Sequence, residues 1–94
     1  MNNWWVYIIK CSNESLYTGI TKDIKRRFNE HQFDNKKASK YCIRFRPLRL
    51  VYTSCAYGNK SDASKEEYRI KNLSKVKKLK LIENNEGSNF KKKG

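Results

Sequence analysis

The stretch WWVYIIKCSNESLYTGI, Trp4 to Ile20, constrains this chain more than any other. Its first half is aromatic and β-branched with no polar alternation, which predicts a strand largely buried on both faces. Ser12 to Ser15 carry turn chemistry, and Leu16 to Ile20 read as a second strand, so the two form a hairpin. The loop length decides which side chains share a face. A loop of Ser12 to Glu14 pairs Ile9 with Tyr17 and puts Tyr7 beside Tyr17. A two- or four-residue loop centred on Asn13 and Glu14 puts the tyrosines on opposite faces. Sequence leaves both registers open.

After the hairpin, Thr21 or Asp23 can cap a helix running to about Phe33. With Ile24 as origin and about 100° per residue, Phe28 falls at about +40°, His31 at about −20°, Arg27 at about −60° and Arg26 at about +200°. Arg26 therefore faces solvent, while Arg27 and His31 border the face that packs on the sheet. A charge at the edge of a core is costly without a partner. A phosphate would suit the planar fork of Arg27; an ion pair with Asp23 is the plainer alternative. Tyr17 and Gly19 share a strand face. A glycine there marks either a close approach by another group or a simple bulge.

Residues 34–46 lack a period and read as a polar, basic loop with room for one helical turn. Pro47 opens a third strand with Leu48, Leu50 and Tyr52 on one face. A helix is expected from about Ser61 to Leu73, and Ser74 can cap a last one to about Glu83 with Val76, Leu79 and Ile82 turned inward. The remaining residues, 84–94, read as a basic, disordered tail beyond a domain spanning 1–83. The order is ββαβαα, an α+β fold on a small three-stranded antiparallel sheet.

Charge narrows the partners. Lys and Arg number 22 against 9 acids, a net charge of +13, and such an imbalance calls for a polyanion, nucleic acid first. Three widely spaced cysteines and one histidine argue against a closed zinc site and for free thiols in a reducing compartment. The longest apolar run, Trp4 to Ile9, is too short to span a bilayer, and no signal peptide is evident. The expectation is a soluble cytosolic protein, or a nuclear one in a host with a nucleus, without a membrane partner.

VYI at 6–8, YTG at 17–19 and KDIKRRFNEH at 22–31 together resemble the GIY-YIG nuclease family, in particular its small, stand-alone, YhbQ-like members. RPLRLVY at 46–52 and SKEEYRIKNLSKVKKLKLI at 64–82 extend the resemblance over nearly the whole chain. It implies a phosphodiesterase that cuts DNA with one divalent metal, Mg2+ or Mn2+. Tyr7, Tyr17, Arg27, His31 and Glu67 take the positions of the family's catalytic residues, with Glu67 as metal ligand. A tyrosine would position or deprotonate the attacking water, which needs nearby positive charge for a phenol of pKa about 10; Lys22 is one source. Arg27 would stabilise charge on the phosphorane oxygens.

Glu67 also admits a structural reading, because Ser64-x-x-Glu67 matches a capping box, and helical phase does not separate it cleanly from Glu66. Two positions depart from the family pattern: Trp5 replaces the first motif's glycine, and the asparagine that follows the glutamate in larger members has no clear counterpart. Lys22, Arg26, Lys71, Lys75 and Lys78 are the residues expected to track phosphates. The leading expectation is a metal-dependent DNA endonuclease of low sequence specificity or of shape preference for branched or single-stranded DNA, in repair, recombination or processing, with a protein partner supplying strict target choice. Its rivals are a module of the same fold that binds without cutting, and a nonspecific RNA-binding protein with stacking aromatics.

Overall fold

A computed structural model describes the backbone of residues 3–93 and the side chains of residues 3–84. β1 (Trp5–Lys10) is its central strand, flanked by β2 (Leu16–Thr21) and β3 (Arg49–Thr53) in the order β2-β1-β3, with both pairings antiparallel. Helices α1 (Ile24–Phe33) and α2 (Lys40–Arg44) lie between β2 and β3 in sequence, and α3 (Lys60–Lys71) and α4 (Lys75–Lys93) follow β3. The segment read as a loop with room for one turn thus contains α2, which Ser39 caps by accepting from the Cys42 N–H at 3.1 Å.

Alternation along β1 divides the core into two layers. Val6 and Ile8 face Val51, Tyr52, Ala63, Ile70 and Ile82, the side covered by α3 and α4. Tyr7 and Ile9 face Cys42 and Leu48, with Phe28 and Tyr17 packed against them, the side covered by α1 and α2. Ile8 and Ile9 are fully buried on opposite faces, each stabilising the fold by roughly 1.5–3 kcal/mol.

The hairpin takes the odd register. Cys11 N–H donates to Ser15 O, and Glu14 N–H to Cys11 O, both at 2.9 Å, leaving Ser12, Asn13 and Glu14 as the loop. Glu14 closes it in the left-handed region at φ 70°. Tyr7 and Tyr17 therefore share a face, with Tyr7 opposite Gly19 and Ile9 opposite Tyr17.

Two expected apolar stripes are corrected. Ile8 pairs with Tyr52 but Ile9 with Leu50, so Val51 is an extra residue on β3, and the bulge turns the strand over. Leu48 and Leu50 pack with the α1–α2 layer and Tyr52 with the other. On α4, Ile82 is buried, but Val76 and Leu79 are 66% and 43% exposed. Steps of three drift about 60° each around a helix, and the inward face passes through Ile82 and the half-buried Leu81 instead.

Cap positions explain the helix starts. Asp23 caps α1, its Oδ1 accepting from the Arg26 N–H at 3.1 Å, and Asn59 caps α3 by accepting from the Asp62 N–H at 2.8 Å. The expected start at Ser61 moves to Lys60 for that reason. Ser74 Oγ accepts from the Lys77 N–H at 3.3 Å at the start of α4. The bounds of α4 extend to Lys93; the side chains of the basic tail expected at 84–94 fall, Asn84 apart, outside the described residues. All three cysteines are free thiols.

Candidate functional site

The shared face of β1 and β2 brings Tyr7 and Tyr17 over α1, and α1 supplies the third ring. His31 is fully buried. Its Nε2 lies 2.9 Å from Tyr7 Oη, and its Nδ1 accepts the Ser39 N–H at 3.3 Å. A backbone N–H can only donate, so Nδ1 carries no proton and Nε2–H donates to the Tyr7 oxygen. The hydroxyl proton of Tyr7 is left to point elsewhere. Burial above all, then the charge of Arg27, pulls the His31 pKa down to about 4, in keeping with a neutral ring. Tyr17 meets His31 edge-on at 5.3 Å between ring centres, and Tyr7 tilts against it at 6.0 Å.

Arg27 sits at the margin of this group. It donates to Glu30 Oε1 at 2.9 Å and to the Lys37 carbonyl at 2.8 Å, which holds the guanidinium in one place. Its expected partner Asp23 is engaged otherwise, as the α1 cap and at 4.0 Å from Arg26. The Tyr7 phenol is pushed up by burial and then by the neighbouring Tyr17, while the charge of Arg27 pulls it down. Arg27 is thus the cation felt by the phenol. Lys22, expected in that role, lies instead over the Trp4 ring.

Gly19 makes the assembly possible. A Cβ there would collide with Tyr7 Oη and come within 2.6 Å of its Cζ. The β1–β2 pairing is regular through this point, so Gly19 is not a bulge. The group that needs the space is the Tyr7 phenol, within the protein itself.

Several participants escaped sequence reasoning. Tyr41 stacks on Tyr17 at 6.5 Å and 16°, and its hydroxyl donates to Ser15 Oγ at 2.5 Å. Arg46 Nε donates to the His31 carbonyl at 2.8 Å. Ser39 contributes a backbone N–H. All three belong to 34–46, which has no period to read; the Ser39 cap was the one local signal.

Glu67 belongs to a different helix from Arg27 and His31. It is carried by α3, whose Ala63 and Ile70 pack on the opposite face of the sheet, and its carboxylate lies 3.2 Å from Lys71 Nζ. Ser64 is not a cap, since α3 begins at Lys60. Glu66 is bound in a fork by Arg69 at 2.8 and 2.6 Å, which leaves Glu67 the less constrained of the two carboxylates. Of the expected phosphate-tracking residues, Lys71 is tied to Glu67, Lys75 Nζ donates to the Glu14 carbonyl at 3.2 Å, Lys78 is half-buried, and Arg26 lies 3.8 Å from Glu30. Lys22, Arg26 and Arg27 line one cleft of ≈ 370 Å³ together with Trp4, Ile20, Thr21 and Glu30.

A family model described as the GIY-YIG catalytic domain matches residues 3–80. The chain belongs to the GIY-YIG family. Its relatives include a UPF0213 protein of Staphylococcus saprophyticus, 46% identical over 82 residues that cover 87% of this chain and 96% of the relative. A UPF0213 protein of Desulfotalea psychrophila is 43% identical, covering 88% of this chain and 74% of that one. The solution NMR structure of a UPF0213 protein from Bacillus halodurans matches with a TM-score of 0.54 at 41% identity, over 86% of this chain and 83% of that one. The GIY-YIG match spans Tyr7, Tyr17, Arg27, His31 and Glu67 alike.

As a metal ligand Glu67 fits one kind of ion. No group of three or more His, Cys, Asp or Glu side chains converges among the described residues, which suits neither zinc nor calcium. A single half-buried carboxylate oxygen suits Mg2+ or Mn2+, hard ions that keep several of their own waters. No helix among the described residues is long and apolar enough to cross a membrane.

Proposed function

We propose that this protein binds DNA and hydrolyses a phosphodiester bond at the Tyr7–Tyr17–Arg27–His31 group, with one Mg2+ or Mn2+ at Glu67, as a GIY-YIG endonuclease of the YhbQ-like kind. The observation that carries this reading is the buried hydrogen bond between His31 and Tyr7 beside Arg27. It buries two polar side chains where apolar ones would pack more cheaply, and orients a phenol toward the margin where the guanidinium stands.

His31 holds its proton on Nε2 and fixes the Tyr7 oxygen, so the Tyr7 hydroxyl is free to orient a water or a phosphate oxygen. Burial and Tyr17 keep that phenol protonated in the free protein; Arg27 favours its deprotonation and meets the charge that builds on the phosphoryl oxygens. Tyr17 is held between His31 and Tyr41 and offers a second hydroxyl to the attacking water. The cation, when bound, supplies Lewis-acid stabilisation of the leaving oxygen. The +13 charge supports backbone-led binding, with Lys22, Arg26, Lys71, Lys75 and Lys78 toward phosphates. Shape-selective cutting in repair or processing, with a protein partner setting the target, belongs to the same reading.

A second reading, binding without hydrolysis, is favoured by the position of Glu67, which is paired with Lys71 on a helix that covers the other face of the sheet. The two separate in one experiment. Labelled single-stranded, duplex and branched DNA is incubated with Mg2+ or Mn2+ and wild type, Glu67→Ala or Tyr17→Phe. Cleavage lost in both variants with binding retained supports the endonuclease. Salt-sensitive binding with no cleavage by wild type sinks it in favour of the binding module, and no binding at low salt sinks both.

A further inference from the structure

Trp4 is fixed where the chain enters β1. Its N–H donates to Tyr57 O at 2.8 Å, and the Tyr57 N–H returns to Trp4 O at 2.7 Å. The half-buried indole packs against the α3–α4 layer and keeps an open part at the surface. Two ammonium groups lie over that one ring, Lys22 Nζ and Lys60 Nζ, each 5.5 Å from its centre. They arrive from different elements, Lys22 from just past β2 and Lys60 from the start of α3. They can be no further apart than twice that distance. Neither forms an ion pair among the described residues.

An indole face attracts cations without neutralising them, so both ammoniums keep their full charge at the surface. An anion beside the ammoniums supplies the counter-charge that neither has among the described residues. One lysine over a ring is an ordinary way to cover apolar surface; two on the same ring, both lacking a carboxylate, are not needed for that. Trp4 and Lys22 also line the cleft that contains Arg27, so an anion held there belongs to the same bound chain as one held at Arg27.

We infer that Trp4, Lys22 and Lys60 form a subsite for an unpaired nucleotide of the DNA strand, next to the bond at Arg27. Backbone phosphates draw the two ammoniums off the indole, because a charge-assisted hydrogen bond to phosphate outweighs an exposed cation–π contact. The uncovered indole then stacks the base between them. Any base serves, since each presents a π face, whereas bases inside a duplex already have both faces occupied. The subsite rests on the DNA-binding reading above and deepens it: the strand bound there is single-stranded, as at a flap, a junction arm or an end.

The test measures binding of the full chain to labelled oligothymidylate and to a duplex of equal length, in EDTA and across a salt series, with cleavage assayed separately in Mg2+. Trp4→Leu is expected to weaken oligothymidylate binding about tenfold or more and duplex binding less than about twofold, with Trp4→Phe restoring most of the loss. Lys22→Gln with Lys60→Gln should lower the salt slope for the single strand by about 1.4, the value for two phosphates. Trp4 touches the core, so a variant that keeps it provides a second readout. Trp5→Phe leaves Trp4 the only tryptophan, and its emission should fall as oligothymidylate binds. Equal losses on both DNAs, or unchanged Trp4 emission in a protein that binds, overturns the subsite while leaving cleavage untouched. A Trp4-dependent preference for single strands without cleavage keeps the subsite and sinks the nuclease.

Discussion

Gly19 stands directly across the hairpin from Tyr7, and the space a methyl group would occupy on Gly19 is filled by the Tyr7 phenol. The phenol cannot swing away without giving up the bond to His31, a side chain with no exposed surface. Gly19→Ala is therefore expected to cost about 1–3 kcal/mol by overpacking and to displace Tyr7. Urea unfolding and the chemical shifts of the His31 ring check both. Wild-type stability with an unshifted His31 would mean that the ring yields freely.

The pH dependence of stability follows from the same pair. The folded His31 pKa is lowered from 6.5 to about 4 by burial, so below pH 6.5 the unfolded chain takes up a proton that the native one refuses. Stability is full above pH 6.5 and declines by about 1.4 kcal/mol per pH unit as pH falls toward 4. His31 is the only histidine, and the lowered carboxylates, Glu30 and Asp34 among them, add their losses only further down. Unfolding at pH 7, 6 and 5 should thus show a decline that His31→Gln removes. A flat wild-type profile over this range would contradict the buried neutral ring.

Arg27 is held by Glu30 and the Lys37 carbonyl through one guanidinium nitrogen, Nη1, so neither contact uses the two-nitrogen fork that a phosphate can take. Arg27→Lys keeps the charge but not the fork. On the endonuclease reading, single-turnover cleavage should fall by about 100-fold or more, while DNA affinity at fixed salt changes by less than about threefold. Equal losses in rate and affinity would make Arg27 a binding residue only.

The hairpin loop carries a local cost. Glu14 adopts φ 70°, where an L-residue is disfavoured by roughly 1 kcal/mol and glycine is not. Glu14→Gly gives up the solvent-exposed contact with Lys10, a weak interaction at the surface, and some stability to the greater freedom of the unfolded glycine. The net expectation is a small rise in the urea midpoint, with Glu14→Ala giving none. A lower midpoint for glycine would show that the Lys10 contact outweighs the backbone strain.

Much of the fold is legible in the sequence. The unbroken apolar run of β1 announced a strand with a layer on each face, and Asp23 and Ser74 marked the helix starts they cap. The apolar stripes failed where a single step of geometry intervened: Val51 bulges and sends Leu50 and Tyr52 to different layers, and α4 turns Val76 and Leu79 outward. The capping-box alternative at Ser64-x-x-Glu67 fails, because Asn59 caps the helix five residues earlier.

At the site, residue type and spacing placed Tyr7, Tyr17, Arg27 and His31 on neighbouring elements, and the GIY-YIG match spans those same positions. Spacing alone reached that far because strand and helix periods are local properties of the chain. It did not choose the hairpin register, and it had no access to contacts between segments distant in sequence. Ser39 fixing the His31 tautomer, Tyr41 stacking on Tyr17, and Lys22 and Lys60 meeting over Trp4 each join segments with no common period. Packing decides such contacts, because burial, a backbone donor's direction and the meeting of two ammoniums on one ring exist only once the layers have closed.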